Sequence, residues 1–290
     1  MFRTPQADWF HNQKPSDTDD WCIHYHGTAG FTVSSGDTTL VLDPFVTRPG
    51  LLPTAFQRLK PNTSAIREHF PHADAVMVGH AHHDHILDAP TVCLHTGAQF
   101  VGSKDAANVA RAAGLPETQI TETSGQEDLH FGKATVRGLP SLHGRVYFNR
   151  VAFAGNIPTP PPWPPRLWDL RHGQVLNWHL QLGGLKIVHI DSADVIDEQI
   201  TGLHADVVCL CAIGWKYRPG FVEAVVHHLK PRWIIPCHWD WFFTPYGVPP
   251  AMLPGVDLVG FMDEIRRHGA KPILLPLGGK FRLSESDLAL

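Results

Sequence analysis

Apolar and polar positions first fall into a clear pattern near the start of the chain. Residues 22–31 and 38–43 carry β-branched alternation on either side of a Ser-Ser-Gly-Asp turn at 34–37. They predict a β-hairpin that Asp43-Pro44 ends. Asn62 or Ser64 can cap a short helix running through Phe70. Residues 75–79 form a compact, valine-rich apolar run, too short for a helix, which reads as a buried strand. That strand ends at His80. The sequence His-Ala-His-His-Asp-His at 80–85 therefore falls in the loop leaving the strand, where a rigid scaffold usually mounts its chemistry.

Strands are expected next at 91–94 and 100–102, then an alanine-rich helix at about 104–113 stopped by Gly114 and Pro116, and strands at 128–131 and 134–138. Residues 156–169 hold six prolines, which excludes regular structure and predicts an excursion packed on the surface or over a cleft. The pattern restarts with strands at 176–182 and 185–190 around a Gly-Gly turn and a helix near 195–202. A strand at 207–213, a helix at 221–229, a strand at 233–236, a helix at 258–268 and a final strand at 272–275 follow. Both halves run from hairpin strands into alternating strands and helices, with no low-complexity linker between them. The expectation is an α/β chain folded as a four-layer αββα sandwich with mixed sheets. One domain would span 1–290, with residues 1–20 as a polar N-terminal extension and 156–169 as a proline-rich insertion near the active site.

Composition removes several function classes. With 24 basic and 28 acidic side chains the net charge is −4, so no broad cationic field awaits a polyanion and nucleic acid is not an expected partner. The longest apolar stretch, 207–215, has 9 residues, against the roughly 20 needed to cross a bilayer. The N-terminal segment is polar and acidic, with no apolar core leading to a cleavage site, which predicts a cytoplasmic protein. Five cysteines without C-x-x-C spacing indicate neither a disulfide framework nor a thiolate zinc knot. Histidine is the anomaly, with 20 copies, many at predicted strand ends.

In an extended loop His80 and His82 project to one side, while Asp84 and His85 come at the next turn of the chain and can face a second point. That suffices for two metal sites. Imidazole and carboxylate suit zinc, manganese or iron, and the lack of a nearby thiol argues against a purely structural zinc. The alternative is a histidine-rich surface loop.

The motif His80-x-His82-x-Asp84-His85 at the end of a buried strand resembles the signature of the metallo-β-lactamase superfamily. The resemblance continues in order at four stations along most of the chain. These are the opening strands with Asp43-Pro44, then Ser-Leu-His143-Gly, then Ile-Val-His-Ile-Asp191-Ser, and finally Ile-Ile-Pro-Cys-His238. It implies a sandwich of the metallo-β-lactamase type holding two divalent metal ions, with Zn2+ the expected ion and Mn2+ or Fe the alternatives. One ion would be held by His80, His82 and His143, the other by Asp84, His85 and His238, with Asp191 bridging them and Asp43 supporting the site. Two cations should bring the pKa of a shared water from 15.7 toward about 7, giving a hydrolase whose nucleophile is a bridging hydroxide. Asp84 would orient that nucleophile as the catalytic carboxylate.

Other residues carry less. His83 occupies the variable position of the motif and is expected to support the site or face solvent, His189 to be packed or to support the site, and His227-His228 to take no part in catalysis. His24 and His26 share one face of the opening strand and either line the site or belong to the core. Past His238, alternation would turn Asp240 and Phe242 toward the metals and Trp239 and Trp241 away. The segments 239–246 and 156–168, with Trp163 and Trp168, are expected to form an apolar wall.

For substrate, the missing leader argues against a secreted β-lactamase, the charge balance against a nuclease, and the mixed C-terminal tail against a glutathione-thioester hydrolase. Within the superfamily the chain most resembles the cytosolic branch with L-ascorbate-6-phosphate lactonase and, more distantly, N-acyl-phosphatidylethanolamine-hydrolysing phospholipase. It departs from that branch at the proline-rich segment and at Thr28, where histidine is common. The expected substrate is a small ester, lactone or amide. The alternatives are a phosphodiester, lipid-like substrates included, and a metal-binding protein without turnover. A homo-oligomer remains open.

Overall fold

The computed structural model describes residues 4–16 and 19–289. Two seven-stranded sheets face each other, with helices on their outer sides. The first has the spatial order β14 (Lys280–Leu283), β1 (Trp21–Gly27), β2 (Gly30–Ser35), β3 (Thr38–Leu42), β4 (Ala75–Met77), β5 (Gln99–Gly102) and β6 (Ile120–Glu122). The second runs β13 (Lys271–Pro272), β12 (Trp233–Cys237), β11 (Val207–Cys211), β10 (Leu185–Ile190), β9 (Val175–Leu182), β8 (Ala134–Ser141) and β7 (Asp128–Phe131). Each sheet is antiparallel in the half that holds its hairpins and parallel in the other. This is the expected αββα sandwich.

Period-two alternation assigns each strand's side chains to a layer. Leu40, Leu42 and Met77 point inward to a core shared with Trp178, Leu180 and Val188 of the other sheet. Their neighbours Val41, Val76 and Val78 point outward, beneath α2 (Thr63–His69), α4 (Ala89–Thr96) and α5 (Lys104–Ala112). On the far side, α6 (Asp197–Ile200), α7 (Phe221–Leu229) and α8 (Leu258–Arg267) bury Ile200, Phe221, Val225, Phe261 and Ile265. No helix of the described residues is long and apolar enough to cross a membrane.

Several expectations need correction. The stretch 91–94 is helical, inside α4, because Pro90 sits at the first turn and Gly97 closes the helix in the left-handed conformation. Those end signals outweigh a β-branched pair. The run 22–31 is two strands, since Thr28 adopts φ 54° and reverses the chain between β1 and β2. The expected strand 272–275 shrinks to β13, and the last strand is β14, paired antiparallel with β1. Only Phe281 and Leu283 are apolar in it, which is little pattern to read. The short helix α1 (Leu51–Phe56) had no counterpart in the expectations.

The proline-rich segment is pinned down along much of its length. Asn108 of α5 donates to the Ile157 carbonyl at 2.8 Å, Ile157 N–H donates to Asp105, and Leu59 N–H donates to the Pro165 carbonyl at 2.7 Å.

Candidate metal centre

Five strand ends converge at one edge of the sandwich. β3 delivers Asp43, β4 leads into 80–85, β8 leads to His143, β10 to Asp191 and β12 to His238. All five exits are carboxyl ends, the place where α/β sheets present ligands. After β4 the chain makes a single helical turn, α3 (His83–Ile86), with His82 still extended at its N-cap. His80 and His82 are thus fixed by an extended segment, and Asp84 and His85 by a turn.

Close approach of the sheets depends on glycine. A Cβ on Gly79 would run into the Asp191 carboxylate, and the Gly79 N–H donates to Asp43 Oδ1 at 2.8 Å. Gly144 N–H donates to Ser192 Oγ at 2.9 Å, and a Cβ there would lie 2.8 Å from the Ala193 backbone nitrogen.

The side chains meet closely. His80 Nδ1 lies 2.6 Å from Asp191 Oδ2, and His80 Nε2 faces His82 Nδ1 at 3.0 Å. The rings of His80 and His82 each lie 4.8 Å from His143 by centroid. His143 Nδ1 donates to the Gly144 carbonyl at 2.7 Å, which leaves Nε2 as its lone-pair atom. His85 Nδ1 donates to Asp43 Oδ2 at 2.9 Å, and His238 Nε2 lies 3.2 Å from Asp84 Oδ2. Three overlapping groups result, His80/His82/His143, His80/His85/Asp191 and Asp84/His85/His238, each with its ligand atoms within 4.8 Å of one another.

The donors fit divalent cations. Asp191 Oδ1, His82 Nε2 and His238 Nδ1 are buried without a hydrogen-bond partner, a costly arrangement for polar atoms that nothing else binds. Burial, reinforced by neighbouring imidazoles, pushes His80 and His82 well below the ordinary imidazole range, and burial does the same to His85. Neutral rings have the lone pair a metal needs. Burial raises the Asp84 carboxyl, but the imidazoles of His83, His85 and His238 outweigh it and hold it well below the carboxylate range. Asp43 is pushed up by burial and by the Asp191 charge beside it.

The cluster forms the floor of a cavity of about 480 Å³. Its walls include Tyr147, Phe153, Leu167, Trp241, Phe242 and Phe243, together with Val146, Ile213 and Leu253. No lysine or arginine of the described residues lines it.

Several residues lie elsewhere than the strand pattern suggested. Phe242 lines the cavity, yet so does Trp241, while Asp240 is fully buried away from it. Alternation fails because β12 ends at Cys237 and His238 takes φ 54°, which turns the chain. The rings of His24 and His26 lie 4.1 Å apart, tilted by 48°, and His26 packs on Phe70; neither lines the cavity. Trp163 packs on the outer core of the first sheet, and Trp168 stands 45% exposed beside the Arg166 guanidinium. Of 156–168, Leu167 alone reaches the cavity, and Val146, Tyr147, Ala152 and Phe153 supply the wall instead. His83 is buried at the cavity edge among Phe45, Phe242 and Phe243. His189 is packed, hydrogen-bonded to the Ala29 carbonyl at 2.8 Å.

Two features had no sequence signal. His172 stacks on His143 at 5.5 Å and 28°. Behind His238, the Asp240 carboxylate accepts from Tyr25 Oη at 2.7 Å and Thr28 N–H at 2.8 Å and pairs with the buried Arg48 guanidinium. Thr28 in turn accepts from the His238 N–H through its carbonyl.

Comparison with known proteins finds metal-dependent hydrolases among the relatives of this chain. The chain is 27% identical over 224 residues to a UPF0173 metal-dependent hydrolase of Desulfitobacterium hafniense, covering 76% of this chain and 84% of that one. It is 24% identical over 269 residues to a UPF0173 metal-dependent hydrolase of Symbiobacterium thermophilum, covering 90% and 99%. Among solved structures, Igni18, described as a novel metallo hydrolase from Ignicoccus hospitalis, superposes with a TM-score of 0.58 at 17% identity, covering 91% of this chain and 98% of that one. The profile of the β-lactamase superfamily domain matches residues 22–238, from the opening strand through the last histidine of the cluster, and the chain belongs to that family.

Proposed function

We propose that this metal-dependent hydrolase of the β-lactamase superfamily works with two divalent cations, zinc foremost, on a small ester, lactone or amide carrying an apolar group. The observation that carries the reading is the set of seven ligand residues in three overlapping groups, sharing His80 and His85, on the floor of an apolar cavity. His80, His82 and His143 would hold one ion, Asp84, His85 and His238 the other, with Asp191 between them. Bound there, the cations would supply an activated water and an electrophilic contact for the substrate's carbonyl oxygen.

The chain's own residues do the rest. Asp84 remains ionised and can accept a proton-bearing water's hydrogen bond, orienting its lone pair. Asp43 fixes the His85 ring through Nδ1, the kind of outer contact that sets a ligand's tautomer. Trp241, Phe242, Phe243 and Phe153 exclude bulk water and offer an acyl or ring group an apolar surface. A cavity lined by no lysine or arginine adds no side-chain cation to the proposed metals for binding a phosphodiester, which supports the carboxylic substrate over the phosphodiesterase reading. The lactone option is also the one that the resemblance to the ascorbate-6-phosphate lactonase branch suggests. A small-molecule substrate, a cytoplasmic location and action as one domain complete the proposal.

The test combines metal counting with a substrate series. Protein purified without chelator should carry close to two equivalents of metal by mass spectrometry. Its kcat/KM on p-nitrophenyl esters should rise as the acyl chain lengthens, by up to ~0.8 kcal/mol for each buried CH2. Metal content near zero, or turnover of bis-p-nitrophenyl phosphate alone, would overturn the reading.

A further inference from the structure

The loop 145–155 holds one of its two phenylalanines almost wholly in water. Phe148 is 91% exposed, and Phe148, Asn149 and Phe153 take φ 60°, 57° and 38°, left-handed values that non-glycine residues adopt at a cost. The loop is fixed rather than loose: Val146 and Arg150 form a β-bridge, and His172 N–H donates to the Phe153 carbonyl. Its inner residues, Tyr147 and Phe153, line the cavity wall, so the exposed ring of Phe148 stands at the rim beside them. Leu167 also lines the cavity, and Trp168, next to it in the chain, is again exposed.

Charge at this rim differs from the rest of the chain. Between 145 and 171 there are four arginines, Arg145, Arg150, Arg166 and Arg171, and one acid, Asp169, in a chain whose net charge is −4. Arg145, Arg150 and Arg166 are exposed, and none of the four forms a direct ion pair among the described residues, although Arg145 acts at longer range on the Asp194 carboxylate, which pairs directly with Arg218. The Asp169 carboxylate is turned back on the Arg166 backbone N–H at 2.8 Å. Exposed aromatics interleaved with unpaired arginines, around the mouth of an apolar cavity, make a surface whose rings suit the acyl boundary and whose guanidiniums suit anionic headgroups.

We propose that this rim is a docking surface for an anionic lipid bilayer, with Phe148 and Trp168 inserting and Arg145 and Arg150 meeting the headgroups. Docking would set the cavity mouth against the membrane. The proposal does not depend on which bond is hydrolysed, and its test requires no turnover.

The full-length protein is sedimented with extruded vesicles of phosphatidylcholine alone and of phosphatidylcholine with an equal part of phosphatidylglycerol. Binding is expected to the phosphatidylglycerol vesicles, weakening as salt shortens the screening length from about 10 Å. Phe148→Ser should cut the partition coefficient roughly tenfold. Arg145→Gln and Arg150→Gln should each cut it about fivefold. Phe148→Ser should leave the melting temperature, the metal content and turnover of a short soluble ester as in the parent. No binding to either vesicle, equal binding to both, or binding indifferent to Phe148→Ser overturns the proposal. So does a concentration-dependent dimer, seen by ultracentrifugation, that Phe148→Ser dissolves, since a second copy would then be what covers the rim.

Discussion

The network behind His238 should be the most sensitive part of the structure outside the ligands themselves. Asp240 and Arg48 are both buried, and the Nε and Nη1 atoms of Arg48 have no partner, so its charge is balanced by Asp240. Burial alone would raise the Asp240 carboxyl, but Arg48, Tyr25 and Thr28 overcome it and hold it below the carboxylate range. Asp240→Ala removes the anion and leaves a buried guanidinium uncompensated, a loss of about 3–5 kcal/mol. Part of that figure already covers the stranded Thr28 N–H and Tyr25 hydroxyl, so their separate values should not be added. A loss of this size is a large share of the ~5–15 kcal/mol that stabilises a typical domain. The assay is urea unfolding of chelator-treated protein, which keeps metal binding out of the comparison. If the unpaired charge is the cause, Arg48→Met in the Asp240→Ala background should recover stability, and the double-mutant cycle should give a coupling above about 2 kcal/mol. Because the Thr28 carbonyl accepts from His238 N–H, Asp240→Ala should also weaken the retention of one metal equivalent. An Asp240→Ala protein within about 1 kcal/mol of the parent would refute the argument.

Three further outcomes follow from the site and its surroundings. Gly79→Ala places a methyl against the Asp191 carboxylate and should lower metal content below one equivalent while far-ultraviolet circular dichroism stays native; normal metal content would show that the sheets can part there. Asp84→Asn keeps shape and loses charge, so kcat should fall by about two or more orders of magnitude with the fold intact, and unchanged turnover would show that another group orients the nucleophile. His24 is pushed down to about 4, by burial first and by Lys280 next, so the folded state binds fewer protons than the unfolded chain between that value and 6.5. Its contribution is present above pH 6.5 and lost as pH falls toward 4; discounted for partial exposure, His24→Gln should spare on the order of 2 kcal/mol of the stability lost between pH 7.5 and 4.5, and equal losses in parent and variant would contradict it.

Much of the sandwich is visible in the sequence because its strands are read by burial. Residues 75–79 and 207–213 are dense apolar runs, as strands covered on both sides must be. The errors fall where local end signals compete with that pattern. In 91–94 the valine and cysteine suggest a strand, yet Pro90 and Gly97 bracket a helix, and the bracket decides. β14 escaped because an edge strand that buries two side chains, Phe281 and Leu283, needs its partner β1 to define it, and that pairing spans the whole chain. The switch between β1 and β2 lay in the backbone of Gly27, at φ 91°, and Thr28, at φ 54°, and of the two only the glycine is a residue type that signals a left-handed conformation.

The centre and its walls differ in legibility for a chemical reason. Holding a cation requires imidazole and carboxylate, so the run His80, His82, Asp84 and His85 at a strand end stands out in the sequence, while His143, Asp191 and His238 are found through the resemblance to the metallo-β-lactamase superfamily. An apolar wall has no such requirement. Phe153 serves as well as Trp163 would have, and which one reaches the cavity depends on where Asp105 and Asn108 anchor the proline-rich segment, a tertiary fact. The same holds at His238: extending strand alternation placed Asp240 in the cavity, whereas one left-handed residue delivered Trp241 there and sent the carboxylate to Arg48. Under the proposed function, substrate choice therefore depends on the positions least determined by local sequence, namely Val146, Tyr147, Ala152, Phe153 and 241–243. Exchanging side chains at those positions should change which acyl group is accepted before it changes metal content, since none of them supplies a ligand atom.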